Sequence, residues 1–420
     1  MSLEILIDEE EAVKYIKENT DIFLKTSYLY AEVLNANTLS VDGYANNIIL
    51  VKDRYTGRSV ILKQILPYVR AAKEENMEIP LPEERIYVEF YSLKLWKDLC
   101  PEYVPQIYLF DRDNNIIVFE YIEDMELLRS ALIKQKKYDI IPKQIGNFLS
   151  RTAFFSSNLF LDKKEKQSFI DFFSKSDAEN IWDDLIFKRT TTFAEDDVNP
   201  FIKEDNRRFC QNDKVKDEVK KLSGIFKKKK ESLIHSDFHT SNIFVSDKEI
   251  KVFDSEYSIF GPPSFDMGRL LGNLILNYAS LISMDYNLER KEYQFYLLSI
   301  IEDIYAEFRS QYTKLANEYY SDKEDYLSEY FSSHLAEMVG FLACTIIMRI
   351  RNTGLCLDFE RINNLKKRAL GQKFIIMLAT ELLERRIKFK SIKEVVDFIS
   401  DFRLEYEINI IVRDILKTGS

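Results

Sequence analysis

Residues 234–245, IHSDFHTSNIFV, and residues 251–268, KVFDSEYSIFGPPSFDMG, place one candidate base and several candidate cation ligands within 35 positions. Moving a phosphoryl group needs an acceptor oxygen held in line, a residue to take its proton, and cations to spread the charge over the phosphate oxygens. Asp237 is the candidate proton acceptor. Five residues on, Asn242 offers an amide oxygen suited to a hard cation, and the carboxylates of Asp254 and Glu256 follow a short hairpin. Magnesium takes one or two protein carboxylates beside waters and substrate phosphates, so a short ligand list suffices. The stretch reads as the catalytic half of an ATP-dependent phosphotransferase.

The local pattern supports that reading. Residues 243–245 and 250–253 are apolar, β-rich runs around the polar turn Ser246-Asp247-Lys248-Glu249. A hairpin there returns Asp254 toward Asn242, and strand alternation aims Asp254 and Glu256 at one ion. A lone His-x-Asp would carry little, because both residues often cap turns. The added Asn and Asp-x-Glu carry the reading. His239 is expected to be a packed, hydrogen-bonded loop residue.

The block resembles the aminoglycoside phosphotransferase and choline kinase superfamily, and within it most resembles the methylthioribose kinases. The matching stretches are HSDFHTSNI, DSE, FGP and SFDMG. The resemblance implies a two-lobed, protein-kinase-like α+β fold, with a small β-rich first lobe and a larger, mostly helical second lobe. It implies Asp237 as the catalytic base, Asp254 and Glu256 on magnesium with Asn242, and His235 and Asp266 as supports of the catalytic loop. Two positions depart from the family pattern: Ser236 stands where a glycine is expected, and Asn242 where methylthioribose kinases have serine.

Between Leu39 and Tyr121 five short strand signals recur: LSVDG, NIILVKD, SVILKQ, PQIYLFD and NIIVFEY. The segment EERIYVEFYSLKLWKDL interrupts them with a helical stripe of Ile86, Phe90, Leu93 and Trp96. Lys63, on the third strand, is placed to contact phosphates, and Glu89, on the helix, to pair with it. VDGYANNI, with Gly43 and Asn47, is the candidate phosphate-covering loop. Glu120, Tyr121 and Ile122 follow the fifth strand as the adenine-binding hinge that the resemblance implies. Residues 1–122 are therefore read as the nucleotide-binding lobe and 123–420 as the catalytic and acceptor-binding lobe.

From Met125 onward the pattern is helical apart from the hairpin. Ser264 reads as an N-cap and Ser391-Ile392-Lys393-Glu394 as a capping box. In the family a late helix carries adjacent arginines on the sugar; in FLACTIIMRIRNTG the matching pair is Met348 and Arg349, with Arg351 nearby. On one helix Arg349 and Arg351 would lie about 200° apart. The family's tryptophan-bearing loop is KEENMEIPL here, without the aromatic ring.

The 420 residues are 46% hydrophobic and 30% charged, enough for a sizeable core and two lobes. A net charge of −10 argues against nucleic acid or an anionic membrane as partner. Four cysteines without CxxC spacing signal neither zinc nor a disulfide framework and fit a reducing cytoplasm. The acidic start MSLEILIDEEEAVKYIKE carries no signal-peptide core, and the apolar run 338–348 reads as a buried helix rather than a span. Lys227 to Lys230 is read as a solvated helix end that complements the helix dipole. The expected partner is a small-molecule acceptor, with ATP and Mg2+ as cofactors. As the resemblance implies, that acceptor is the 1-hydroxyl of 5-methylthioribose in methionine salvage, and the chain forms a homodimer. The alternatives are another deoxy-sugar, a choline-like amino alcohol, an aminoglycoside, or a non-catalytic nucleotide-binding protein.

Overall fold

A computed structural model describes residues 7–34, 46–70, 79–193, 198–320, 324–351 and 356–418. The first lobe is built on an antiparallel sheet of β1 (Leu29–Leu34), β2 (Asn47–Asp53), β3 (Ser59–Gln64), β4 (Ile107–Asp111) and β5 (Ile116–Glu120), in the order β1-β2-β3-β5-β4. Period-2 alternation divides its side chains between two faces. Val60 and Leu62 of β3, with Ile116 and Val118 of β5, pack under helix α1 (Glu9–Asn19) through Ala12 and Ile16. Ile117 and Phe119 face the other way and join the main core with Ile86, Leu93 and Trp96 of helix α2 (Arg85–Leu99). Lys63 stands opposite Ile117 in the β3–β5 ladder, so it shares the α2 face.

Two elements of this lobe carry no weight in the sequence reading. Helix α1 opens on a capping box, Asp8 and Glu11, and β1 is a half-buried edge strand. The strand expected at LSVDG, together with Gly43, lies outside the described residues, as does most of KEENMEIPL.

The second lobe begins with β6 (Glu126–Leu127), which pairs with β8 (Ile243–Val245), itself paired with β9 (Ile250–Val252). The expected hairpin is thus present. A second pair joins β7 (Ser232–Ile234) to β10 (Ile259–Gly261). Around them stand helices α3 (Ile141–Phe155), α4 (Asp213–Lys228), α5 (Pro263–Ser280), α6 (Leu288–Tyr319), α7 (Glu324–Arg349), α8 (Leu365–Arg385) and α9 (Ile392–Thr418).

Helix α5 is buried along its whole length and lies against α7. The approach is close because Gly268 faces it: a Cβ there would stand 2.7 Å from Phe341 Cβ and 2.8 Å from the Met338 carbonyl oxygen. Among the described residues one helix, Asp325–Arg349, is long and apolar enough to cross a membrane, and 83% of its most apolar window is buried inside the protein.

Three local expectations need correction. Helix α5 starts two residues earlier than a Ser264 cap requires, with Pro262 at the N-cap and Pro263 at the first helical position, where a fixed φ suits the turn. Ser264 instead donates to Glu337 at 2.9 Å. At α9 the Ser391 hydroxyl does accept from Glu394 N–H, but the Glu394 carboxylate reaches Lys390 N–H rather than that of Ser391. The basic run at the end of α4 is only partly solvated, because three of its lysines are also tied into ion pairs. Lys227 pairs with Asp183 at 2.6 Å, Lys229 with Glu337 at 2.6 Å, and Lys230 with Glu179.

Candidate active site

The loop between β7 and β8 carries Asp237, and the residues around it fix its shape. Ser236 has φ +62°, a left-handed conformation that costs a side-chain-bearing residue about 1–2 kcal/mol relative to glycine. The hydroxyl offsets this: it donates to the Tyr257 carbonyl at 2.5 Å and accepts from the Trp182 indole N–H at 2.8 Å. Asp266, in the first turn of α5, accepts the backbone N–H groups of His235 at 2.7 Å and Ser236 at 2.8 Å. It braces the loop from below. Burial pushes its carboxyl up to about 7, against the pull of those two amides. His235 donates from Nε2 to the Phe253 carbonyl at 2.9 Å and stacks on Trp96.

Asp237 itself accepts from Arg269 of α5 at Oδ1, and His239 Nε2 stands 3.4 Å from Oδ2. Burial would raise the carboxyl, but His239 and Arg269 outweigh it and hold Asp237 well below the usual carboxylate range. The His239 Nδ1 accepts from Ser241 N–H at 3.2 Å, so the ring has a structural bond and also faces the candidate base. Asn242 donates its amide to the Asp237 carbonyl at 3.0 Å, and its own carbonyl accepts from Phe253 N–H at 3.2 Å. That last bond brings Asp254 beside Asn242, as the hairpin expectation requires.

Across the cleft, Lys63 Nζ lies 2.5 Å from Asp254 Oδ1, 2.7 Å from Glu89 Oε2 and 3.6 Å from Glu256 Oε2. Burial alone would lower the ammonium, and the three carboxylates more than reverse it. Glu89 is pushed up to about 7, chiefly by burial. Ligand oxygens of Glu89, Asp254 and Glu256 all lie within 4.8 Å of one another. Asp254 and Glu256 converge differently from the strand alternation expected of them. β9 ends at Val252, and Asp254 turns through φ +63°.

Glu256 is heavily engaged by the protein. Its Oε1 accepts from Arg85 at 2.7 Å and its Oε2 from Asn46 at 2.7 Å. Arg85, fully buried at the start of α2, also donates to the Leu66 carbonyl at 2.7 Å. The donor set suits magnesium in part: Asp254 is 28% exposed and reachable, Asn242 is adjacent, and Glu256 is already tied to two donors.

The remaining sequence candidates divide. Asn47 is not turned to a phosphate: its amide donates to the Ile7 carbonyl at 2.8 Å and its oxygen accepts from Arg70 at 3.0 Å. Its neighbour Asn46 is the residue that reaches the carboxylate cluster. Glu120 closes a bracket with Gln106, whose N–H donates to its carboxylate at 3.0 Å, and Tyr121 and Ile122 follow half-buried between the lobes. Met348 packs in the main core. Arg349 ends α7 close enough to push both His239 and Arg269 down.

Arg351 lies past the helix end, so the angular reasoning does not apply to it. Its guanidinium donates to the carbonyls of Arg189 at 2.6 Å, Thr190 at 2.7 Å and Thr192. That is a helix-end anchor rather than an acceptor contact. Sequence reasoning passed over Arg269, Asn46 and Arg85. The Arg269 signal lay in plain view, directly after the SFDMG motif.

No family model matches the chain. A methylthioribose kinase of Geobacillus thermodenitrificans (strain NG80-2) is 30% identical over 369 residues, covering 86% of this chain and 88% of that protein. Methylthioribose kinase 1 of Oryza sativa subsp. japonica is 28% identical over 417 residues, covering 94% and 95%. Among solved structures, a choline kinase from Cryptosporidium parvum Iowa II aligns with TM-score 0.46 and 12% identity over 89% of this chain and 99% of that one. With 30% identity sustained over most of both sequences, the chain belongs to the methylthioribose kinase family.

Proposed function

We propose that the chain transfers the γ-phosphoryl group of ATP to a sugar hydroxyl, and that the acceptor is the 1-hydroxyl of 5-methylthioribose, a step of methionine salvage. The observation that carries the reading is the Lys63 ammonium held by Glu89 and Asp254 across the cleft from a partly buried, ionised Asp237. In this reading the acceptor hydroxyl donates its proton to Asp237 as its oxygen bonds to the γ-phosphorus. The bond from that phosphorus to the bridging oxygen breaks and ADP leaves. Lys63 orients the phosphates, and Glu120 to Ile122 present the backbone to adenine.

Magnesium, held by Asp254 with Asn242, would supply positive charge to the phosphate oxygens. Four buried, unbridged cysteines suit a reducing cytoplasm, where ATP is made.

Cationic acceptors fit less well. Arg349 and Arg129 both press on His239, and Arg269 sits on Asp237, so an amino alcohol or aminoglycoside would meet positive charge. The test is ADP release with magnesium, with and without methylthioribose, followed by mass spectrometry of the product. ADP and a phosphorylated sugar only when the acceptor is present would support the reading. ATP binding without acceptor-dependent ADP would sink it.

A further inference from the structure

Arg269 is on α5, a helix buried from end to end, and its side chain is 2% exposed. One terminal nitrogen donates to Asp237 Oδ1, and the guanidinium carbon lies 4.4 Å from the centroid of the Trp182 ring. The other two nitrogens, Nε and Nη1, are buried without a hydrogen-bond partner among the described residues. Buried N–H groups left unpaired are costly, and a guanidinium has a fixed fork of donors that needs oxygen atoms around it. Arg349 adds like charge nearby, which makes a second source of oxygen atoms more necessary still.

We propose that Arg269 reads the acceptor: while Asp237 holds the hydroxyl to be phosphorylated, the unpaired N–H groups of Arg269 donate to the neighbouring oxygen of the same molecule. A carboxylate acceptor beside a guanidinium donor matches a vicinal diol, in which one hydroxyl gives a hydrogen bond and the next receives one. The site then selects an oxygen-rich, neutral or anionic acceptor and refuses a cation. This rests on Asp237 being the base proposed above. Arg269 is a specificity residue in this account, contributed by α5 rather than by the end of α7.

The experiment compares the wild-type chain with Arg269→Lys, which keeps a positive charge near Asp237 and loses the fork. Both are assayed with methylthioribose, with its 2-deoxy analogue and with choline, at saturating ATP and magnesium. The expected result is a fall of about tenfold or more in kcat/KM for methylthioribose in Arg269→Lys, carried by the acceptor KM, while the KM for ATP stays put. Wild type should discriminate against the 2-deoxy analogue, Arg269→Lys should not, and neither should phosphorylate choline.

Equal acceptor KM values, or discrimination that survives the substitution, overturn the proposal. Should Arg269→Lys not fold, wild type decides alone: a 2-deoxy analogue used as well as methylthioribose overturns it, and clear discrimination sustains it. If wild type releases no ADP with methylthioribose, the substrate reading fails separately. The acceptor found by an ADP-release panel then decides, a cationic one overturning the inference and a diol or anionic one sustaining it.

Discussion

Trp182 donates its indole N–H to the Ser236 hydroxyl across 2.8 Å, and that hydroxyl in turn donates to the Tyr257 carbonyl at 2.5 Å. The bridge explains how a serine occupies a left-handed position, φ +62°, that favours glycine. Two substitutions separate strain from bonding. Ser236→Ala keeps the strain and orphans Trp182 Nε1, and we expect it to cost about 1–3 kcal/mol. Ser236→Gly loses the same bonds but relaxes the backbone, and should recover about 1 kcal/mol of that loss. Denaturant unfolding of the three proteins checks the order wild type, Gly, Ala. An alanine variant as stable as the glycine variant would show that the backbone is not strained.

Lys63 sits against three carboxylates gathered within 4.8 Å. Lys63→Met leaves them facing one another and removes the proposed phosphate contact. The expected outcome is a fall of about a hundredfold or more in kcat/KM for ATP, in line with the loss of a preorganised charge at a phosphoryl-transfer site. Steady-state kinetics with ATP varied at saturating acceptor would reveal it. A variant within a few-fold of wild type would remove Lys63 from the nucleotide site.

Most of this site was legible because its chemistry is local. Asp237, Asn242 and Asp254 fall within 18 positions, and the β8–β9 hairpin that joins them is announced by apolar runs and a polar turn. The Lys63–Glu89 pair was also legible, because strand and helix periods place both side chains on one side of the sheet. What escaped were partners supplied from far along the chain. Arg85 meets Glu256 over 171 positions and Asn46 meets it over 210, distances at which no period or spacing speaks. Asn47 was singled out where Asn46 reaches the carboxylates, because a one-residue shift reverses the face of a strand. Arg351 was read as a helix residue although α7 ends at Arg349, one residue past the apolar run 338–348, with no glycine or proline there to mark the end. Helix α1 was missed despite its Asp8–Glu11 capping box, since the acidic start was weighed only as a targeting signal.

His334 is 3% exposed, stacks on Phe308 at 4.8 Å, and has neither ring nitrogen paired among the described residues. Burial holds its pKa down to about 3, so the folded chain keeps it neutral where the unfolded chain takes a proton. The unfolded state therefore binds more protons between about pH 6.5 and pH 3, and stability falls as pH drops through that window. His334→Phe removes both orphaned nitrogens and preserves the stack. We expect it to stabilise the fold by about 1 kcal/mol at pH 7 and by more at pH 5. Melting curves at the two pH values test the sign, and a gain that does not grow at pH 5 would mean His334 is solvated or paired.

Asp254 and Glu256 were read together as magnesium ligands, yet the structure gives them different surroundings. Asp254 is 28% exposed and shares its carboxylate with Lys63, while Glu256 is 3% exposed and spends an oxygen on each of Arg85 and Asn46. Removing charge from each should separate the roles. Asp254→Asn takes away the hard anionic ligand proposed for magnesium, and the magnesium concentration for half-maximal activity should rise about tenfold or more. Glu256→Gln leaves Arg85 buried without its counter-charge, and a broken buried pair costs about 3–5 kcal/mol. Its signature should be a lowered melting temperature in metal-free buffer, with the magnesium requirement of the surviving folded enzyme little changed. Magnesium titrations of activity, paired with melts in EDTA, distinguish the two variants. A Glu256→Gln enzyme that melts like wild type but needs far more magnesium would restore Glu256 to the metal site and reduce the Arg85 contact to an exchangeable one.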